Sequence, residues 1–160
     1  MLLHMVDPIS VEALDGLSAA VQSLLPAQAD VSLQPAISVQ PVSITPTGLG
    51  GFVAINDNPA GEIVGRRIDA TVVIGLKAAD SNGIGNTVSA GIKALLTADR
   101  ATLLGQGFLR LALSKVGDQI APGPPAQQQV SITVLYEFLK IPSDPEGMIQ
   151  NIPLNIQLQQ

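Results

Sequence analysis

Two stretches of the chain carry apolar residues at helical spacing. The first stripe consists of Leu14, Leu17, Val21, Leu24 and Leu25. Ser10 is a suitable N-cap before it and Pro26 follows it, so the pattern predicts a helix over residues 11–25. The second stripe predicts a helix over residues 86–96 and consists of Val88, Ile92, Leu95 and Leu96.

Other stretches alternate apolar and polar residues with the period of two that is typical of strands. The clearest alternation predicts strands over residues 68–76, 108–116 and 130–141, and the last two form an antiparallel hairpin with a long flexible tip at 117–129. Residues 27–46 also alternate, but three prolines interrupt them, which favours an edge strand or an arm over a central strand. Residues 99–107 are predicted as a loop or a short helical turn.

The order of these elements predicts one α+β domain over residues 1–160. Its sheet is expected to be mixed but mostly antiparallel, and to pack against two helices. Extended arms are expected at 27–46 and at 142–160, where they are candidates for strand pairing between subunits. The loop 47–58, which contains a possible short strand, and the tip 117–129 are candidates for partner contact or for lining a lumen. The predicted core consists of Leu14, Leu17, Val21, Val72, Ile74, Ile92, Leu95, Ile132, Val134 and Tyr136.

The composition excludes several classes of protein. The chain has no cysteine, one histidine, four aromatic residues and a net charge of −5. This rules out disulfides, cysteine or multi-histidine metal sites, and the basic footprint of a nucleic-acid-binding protein. No apolar run is long enough to span a membrane, and the first residues do not resemble a signal peptide. Charged residues form only 13% of the chain, against about 25% in an average soluble domain. Interface cores are depleted in Lys, Glu and Asp, so the low charge favours a surface covered by partners over a monomer with a bland polar surface.

Residues with catalytic potential are few and scattered. His4 lies in a short leader, where a catalytic triad is not expected. The acidic residues near one another in sequence, Asp57 with Glu62 and Asp144 with Glu146, lack the spacing of a calcium loop. The sequence Gly83-Ile84-Gly85 lacks the remaining residues of a dinucleotide or phosphate loop and favours a turn that leads into a helix. We therefore expect no enzyme, cofactor or metal.

Two groups of residues are candidates for partner contact. Arg66, Arg67 and Lys77 lie at the two ends of the predicted strand 68–76 and are suited to pair with acidic groups of a partner, the alternative being a solvated strand end. The second group alternates with polar residues near the end of the sequence and predicts either a further strand of this sheet or an arm that adds to a neighbour's sheet edge. It consists of Ile152, Leu154, Ile156 and Leu158.

Three segments together resemble the tail terminator proteins of long-tailed phages and of related contractile injection systems. They are the amphipathic helix VEALDGLSAAVQSLL, the strand-turn-helix unit RRIDATVVIGLKAADSNGIGNTVSAGIKALL and the late strand QVSITVLYEFLKIP. The resemblance implies a structural subunit of a hexameric ring that caps the head-proximal end of a tail tube and sheath. Tube and sheath proteins are then its partners, and a virion or tail-like particle assembled in the bacterial cytoplasm is its location. The alternatives are another neck or baseplate adaptor, or a small monomeric ligand-binding module with a pocket near residues 83–86.

Overall fold

The computed structural model describes residues 7–121 and 124–142, with the side chain of residue 121 excepted. Three α-helices and five strands follow one another in an α+β order, which confirms the predicted fold class. The helices are α1 (Pro8–Leu24), α2 (Ile84–Leu96) and α3 (Arg100–Gly105), with a 3₁₀ turn at Val31–Leu33. The strands are β1 (Ala36–Pro46), β2 (Phe52–Asp57), β3 (Ala60–Ala78), β4 (Phe108–Ala121) and β5 (Ala126–Lys140).

The five strands form a single sheet in the order β1-β3-β5-β4, and β2 pairs with the first residues of β3. Strands β1 and β2 lie one after the other along the same edge of β3 and are both antiparallel to it. The three strands therefore form one long hairpin that turns at residues 58–59. We call the end of the sheet that carries this turn the hairpin end. Strand β4 begins at that end and β5 finishes there.

Every strand pair among the described residues is antiparallel, whereas the sequence predicted a mixed sheet. The physical reason is the place of β5. The connection from β3 through α2 and α3 returns to a strand that runs in the direction of β3, as in a parallel crossover unit. Because β5 lies between β3 and β4, each of these two strands pairs with an antiparallel neighbour instead.

Helices α1 and α2 contribute to the core on one face of the sheet, which makes the domain two layers deep. Alternate residues of β3 and β5 point to this face, and the largest fully buried side chains are Leu17, Val21, Ile68, Val72, Ile74, Leu95, Val130, Ile132 and Val134. Most of the predicted core is confirmed, while Leu14 and Ile92 are only partly buried against it. Tyr136 is also buried, and this burial raises the pKa of its phenol.

The first helix begins three residues earlier than predicted, and its N-cap is Asp7 rather than Ser10. Pro8 stands in the first turn, where a residue without an N–H is tolerated. Asp7 Oδ1 accepts a hydrogen bond of 2.8 Å from the backbone N–H of Ser10. This bond holds the pKa of the Asp7 carboxyl below its usual range; the Ser10 hydroxyl and the charge of Arg66 add to the effect, and burial opposes it.

Asp7→Ala is expected to lower the free energy of unfolding by about 0.5–2 kcal/mol, the usual cost of losing an N-cap. Because the folded pKa of Asp7 lies below the unfolded one, the stabilisation by its charge is present above the ordinary Asp pKa and is lost as the pH falls through the lowered value. Urea unfolding at neutral and at acidic pH measures both effects.

The control Asp7→Asn keeps an acceptor oxygen, so its free energy of unfolding at neutral pH should fall by less than that of Asp7→Ala. An Asp7→Ala deficit that is unchanged in acid would contradict this account.

One connecting segment is more ordered than the sequence predicted, and two others match one of their predicted alternatives. Strand pairing continues through most of 117–129, with Gln119 opposite Gln128, so the predicted long flexible tip is wrong for those residues. Gln128 Nε2 donates a hydrogen bond of 2.8 Å to the carbonyl of Gly117, which joins the two strands there. Of 27–46, the part Ala36–Pro46 is an edge strand, the first of the two predicted alternatives. Of 99–107, the part Arg100–Gly105 is a short helix.

Candidate assembly surfaces

The outer edge of the sheet at β4 leaves several apolar side chains uncovered. In the described part of the chain β4 pairs with β5 alone, so its other edge has no strand partner. Its register with β5 places Leu111 and Leu113 on the face that carries the helices, yet Leu113 is still 37% exposed. We call this surface the β4 edge patch. It consists of Leu104, Leu109, Leu113, Val116 and Ile120.

A second apolar surface lies on the opposite edge, where the long hairpin extends. Strand β2 and the loop before it expose four apolar residues, and Ile55 is 70% exposed. A Cβ added at Gly65 would lie 3.2 Å from the Val53 side chain and 2.9 Å from that of Leu139, so strand β2 and the end of β5 meet over this glycine. We call these exposed residues of the hairpin the hairpin patch. It consists of Leu49, Phe52, Val53 and Ile55. Phe52 and Ile55 share the face of Val64 and Glu62, whereas Val53 lies on the face of Gly65.

The face of the sheet away from the helices is polar and carries both neutral and charged side chains, with Arg67, Asp69 and Lys77 on β3, Glu137 on β5, and Arg110 and Lys115 on β4. Cross-strand partners share a face, so the register places hydroxyl and amide side chains in rows across it, such as Gln40, Thr71 and Thr133. One charged pair crosses this face, where Arg67 Nη2 lies 2.9 Å from Glu137 Oε2. Nothing among the described residues forms a layer over this face, so it is open to a partner.

The three basic candidates have different environments. The Arg66 side chain is only 14% exposed, donates a 2.8 Å hydrogen bond to the carbonyl of Gly65 and approaches Asp7 to 3.5 Å. It therefore ties the start of α1 to β3 within the chain. Arg67 is half-exposed on the open face, where it pairs with Glu137. Lys77 lies on the same face near the opposite end of β3, across from Gln127. The structure does not bring the three together, and partner contact by Arg67 and Lys77 stays a prediction.

The apolar candidates Ile152, Leu154, Ile156 and Leu158 lie outside the described residues, as do His4, Asp144 and Glu146. Asp57 and Glu62 are exposed on the strands that flank the hairpin turn. Asn56 Nδ2 donates to the carbonyl of Pro59 at 2.7 Å, which agrees with the predicted turn chemistry. Within residues 7–121 and 124–142 no cluster of three or more His, Cys, Asp or Glu side chains could hold a metal ion. Over the same ranges, the helices are too short or too polar to cross a membrane.

The glycine sequence before α2 forms a turn. Asp80 accepts hydrogen bonds from the backbone N–H of Gly83 through its carbonyl at 3.2 Å and its Oδ1 at 3.0 Å. The Thr87 hydroxyl donates to the Gly83 carbonyl at 3.1 Å. A carboxylate thus already lies at the start of this helix, where a phosphate would meet like charge. The arrangement favours the predicted turn over a phosphate cradle.

A cavity of about 230 Å³ lies near the position where the ligand-binding alternative expects a pocket. It lies between the end of α1, the 3₁₀ turn, β3 and α2 and is partly open to solvent. Its polar lining residues are Gln28, Lys77, Asn86 and Thr87, and the others are apolar. Pockets for small molecules usually measure about 300–1,000 Å³, and the Thr87 hydroxyl is already bonded within the helix. The cavity therefore gives weaker support to a ligand site than the two apolar patches give to assembly.

No protein family model and no curated protein matches the sequence. The candidate site thus rests on the geometry of the chain itself, and that geometry offers two apolar patches on opposite edges of one sheet.

The sequence pattern did not identify the β4 edge patch as exposed, because Leu109 and Leu113 have the alternation of the inward face of a strand. The residues of the hairpin patch lie within the loop 47–58, which the sequence indicated as a candidate for partner contact without identifying which side chains are exposed. Their exposure follows from the sheet order, because an edge strand and a projecting hairpin extend beyond the cover of the helices. One indirect signal was the low charge of the whole chain, which favoured covered surfaces.

Proposed function

We propose that this chain is a structural subunit of a closed ring that caps the head-proximal end of a phage-like tail tube and sheath. The ring binds the last ring of the tube, prevents the next addition and offers its other face for docking. The mechanism is geometric and requires no catalytic residue. The resemblance to tail terminators supplies the tube and sheath as partners, and the fold supports the ring.

The observation that carries the proposal is the pair of unlike apolar patches on opposite edges of the sheet. A closed ring of more than two identical subunits uses head-to-tail contacts, in which each subunit presents two different surfaces. The hairpin patch around Ile55 and the β4 edge patch around Leu113 are such surfaces. They are three strand spacings, about 14 Å, apart across the sheet. Along the strands they are also about 33 Å apart, because Ile55 pairs with Glu62 whereas Leu113 lies level with Val72, ten residues further along β3.

The exposed apolar side chains of these two surfaces favour burial against a partner. Charged residues border both patches, with Glu62 opposite Ile55, and Arg110 and Lys115 on either side of Leu113 along β4. Interfaces that stay associated are more apolar than transient ones. A monomer that exposed two apolar patches and so few charges would be at risk of non-specific association.

Two exposed substitutions test the head-to-tail arrangement. Ile55→Asp places a charge in the hairpin patch, and Leu113→Asp places one in the β4 edge patch. Each variant alone is expected to lose the ring, because every contact in the ring uses both patches. A mixture of the two is expected to form one-to-one dimers, since each variant retains the patch that its partner needs. Size-exclusion chromatography with light scattering measures these masses.

The matched control is Val31→Asp, which changes an exposed valine of the 3₁₀ turn outside both patches and should retain the ring. Two-fold symmetric contacts would give a different result, because a variant with one disrupted patch would still form dimers through the other. Rings that persist in both single variants would overturn the proposal.

A further inference from the structure

Among the residues that the structure describes, no strand pairs with the outer edge of β4. Between Arg110 and Leu113 the pairing with β5 is regular, so this stretch presents an extended backbone edge. On the helix side, Leu111 is partly buried against the core and Leu113 is 37% exposed. An open cavity of about 140 Å³ lies beside Leu111, between α3 and β4.

Residues 151–158 have the pattern that this edge requires. Their apolar members are Ile152, Leu154, Ile156 and Leu158, and they alternate with Asn, Pro and Gln. A strand with this pattern presents one apolar face and one neutral polar face. Beside β4, its apolar row would continue the row of Leu111 and Leu113 toward the cavity. Its amide row would lie next to Arg110 and Ala112 on the open face, where it adds no like charge.

We infer that residues 151–158 of one copy of this chain add as a strand to the free edge of β4 in a neighbouring copy. The inference rests on the proposed ring and names the contact that closes it. The described chain reaches Pro142 at the hairpin end, where the Pro142 ring lies close to Gly61 of the long hairpin. The segment therefore leaves each subunit from the same side as the hairpin patch and approaches the neighbour whose β4 edge faces that patch.

Chain length favours a neighbour over the same subunit. From Pro142 to Asn151 the backbone spans at most about 32 Å. Antiparallel pairing with its own β4 would require the segment to start near Val116. Val116 pairs with Val130, which lies twelve residues, about 40 Å, along β5 from Pro142, and the segment would also have to cross about 10 Å of the sheet. This distance exceeds the extended length of the connection, and residues 143–147 (SDPEG) have turn composition, which shortens its reach further. A neighbouring β4 edge removes this constraint.

Cysteine cross-linking tests the contact, because the natural chain has no cysteine. One preparation carries Ile156→Cys and the other carries Leu111→Cys or Leu113→Cys. After mixing and mild oxidation, the disulfide-linked heterodimer is expected in several-fold excess over either homodimer. The matched control Ala112→Cys lies on the other face of β4 and should cross-link with Asn155→Cys but not with Ile156→Cys.

Charge substitutions provide the second measurement. Leu154→Asp with Ile156→Asp should abolish the ring, whereas Asn155→Asp with Gln157→Asp, which adds the same charge on the polar row, should retain it. If the ring formed without these cross-links and persisted in the Leu154→Asp, Ile156→Asp variant, this inference would be overturned and the proposed function would stand. A third preparation carries Ile156→Cys and Leu111→Cys in the same chain. If its disulfides formed only within single chains, the inference would also be overturned. A wild-type chain that forms no ring, with or without a tube template, would count against the proposed function itself.

Discussion

Leu17→Ala is expected to lower the free energy of unfolding by about 2–5 kcal/mol, the range measured for large-to-small substitutions in well-packed cores. Leu17 is fully buried and belongs to the cluster that joins α1 to β3 and β5. The substitution removes apolar contacts and leaves a cavity, and α1 cannot move inward without displacing Ala13 and Val21 on the same stripe. Urea unfolding, followed by circular dichroism, measures the change.

The control for this prediction is Val11→Ala in the same helix. Val11 is 46% exposed, and a substitution at such a position should change stability by less than about 0.5 kcal/mol. If both variants lost the same free energy, α1 would not be packed on the sheet as described.

Gly107→Ala is expected to cost about 2–4 kcal/mol, because two unfavourable effects act together. Gly107 has a φ of 100°, which L-residues with a side chain rarely adopt. An added Cβ would lie 2.5 Å from the carbonyl oxygen of Glu137, a backbone atom that cannot rotate away. The Gly107 carbonyl also accepts a 2.8 Å hydrogen bond from the Glu137 N–H, so the clash affects the point where β4 joins β5.

Gly105→Ala is the matched control, two residues earlier. Nothing lies within 4 Å of the position of its Cβ, and alanine favours the helical conformation, so stability should stay equal or rise slightly. Chemical unfolding of both variants gives the comparison. Because Gly107 positions the first residues of β4, Gly107→Ala should also weaken the ring. A Gly107→Ala chain that is as stable as the natural one would contradict the described start of β4.

Much of the fold follows from local periodicity. The stripe around Leu17 and the alternation around Val72 and Ile132 are long enough to determine a helix, two strands and the buried face of each. The hairpin of β4 and β5 was also predictable, because two alternating segments that follow each other in the chain commonly pair as an antiparallel hairpin. The length of its strands was not predictable. The glutamines at 127–129 resemble a linker in sequence, but Gln127 and Gln128 pair with β4 in the structure.

The helix start and the candidate site depended on information that periodicity does not contain. Ser10 and Asp7 are both good caps by residue type, and only the position of Pro8 favours Asp7. Arg66 resembles a free basic residue in sequence, but the approach of α1 to β3 gives it Asp7 as a partner. The exposure of Leu113 and Ile55 depends on which strands lie at the edges of the sheet, and strand order is a property of the whole chain.

In the proposed ring, each chain binds its two neighbours through two unlike surfaces. Light scattering coupled to size-exclusion chromatography measures the mass of the purified chain in solution over a range of concentrations, with and without a tail-tube protein as template. We expect a discrete species of about six times the 16.5 kDa of one chain. A sharp monomer at every concentration, which also fails to assemble on the tube, would contradict the proposed ring.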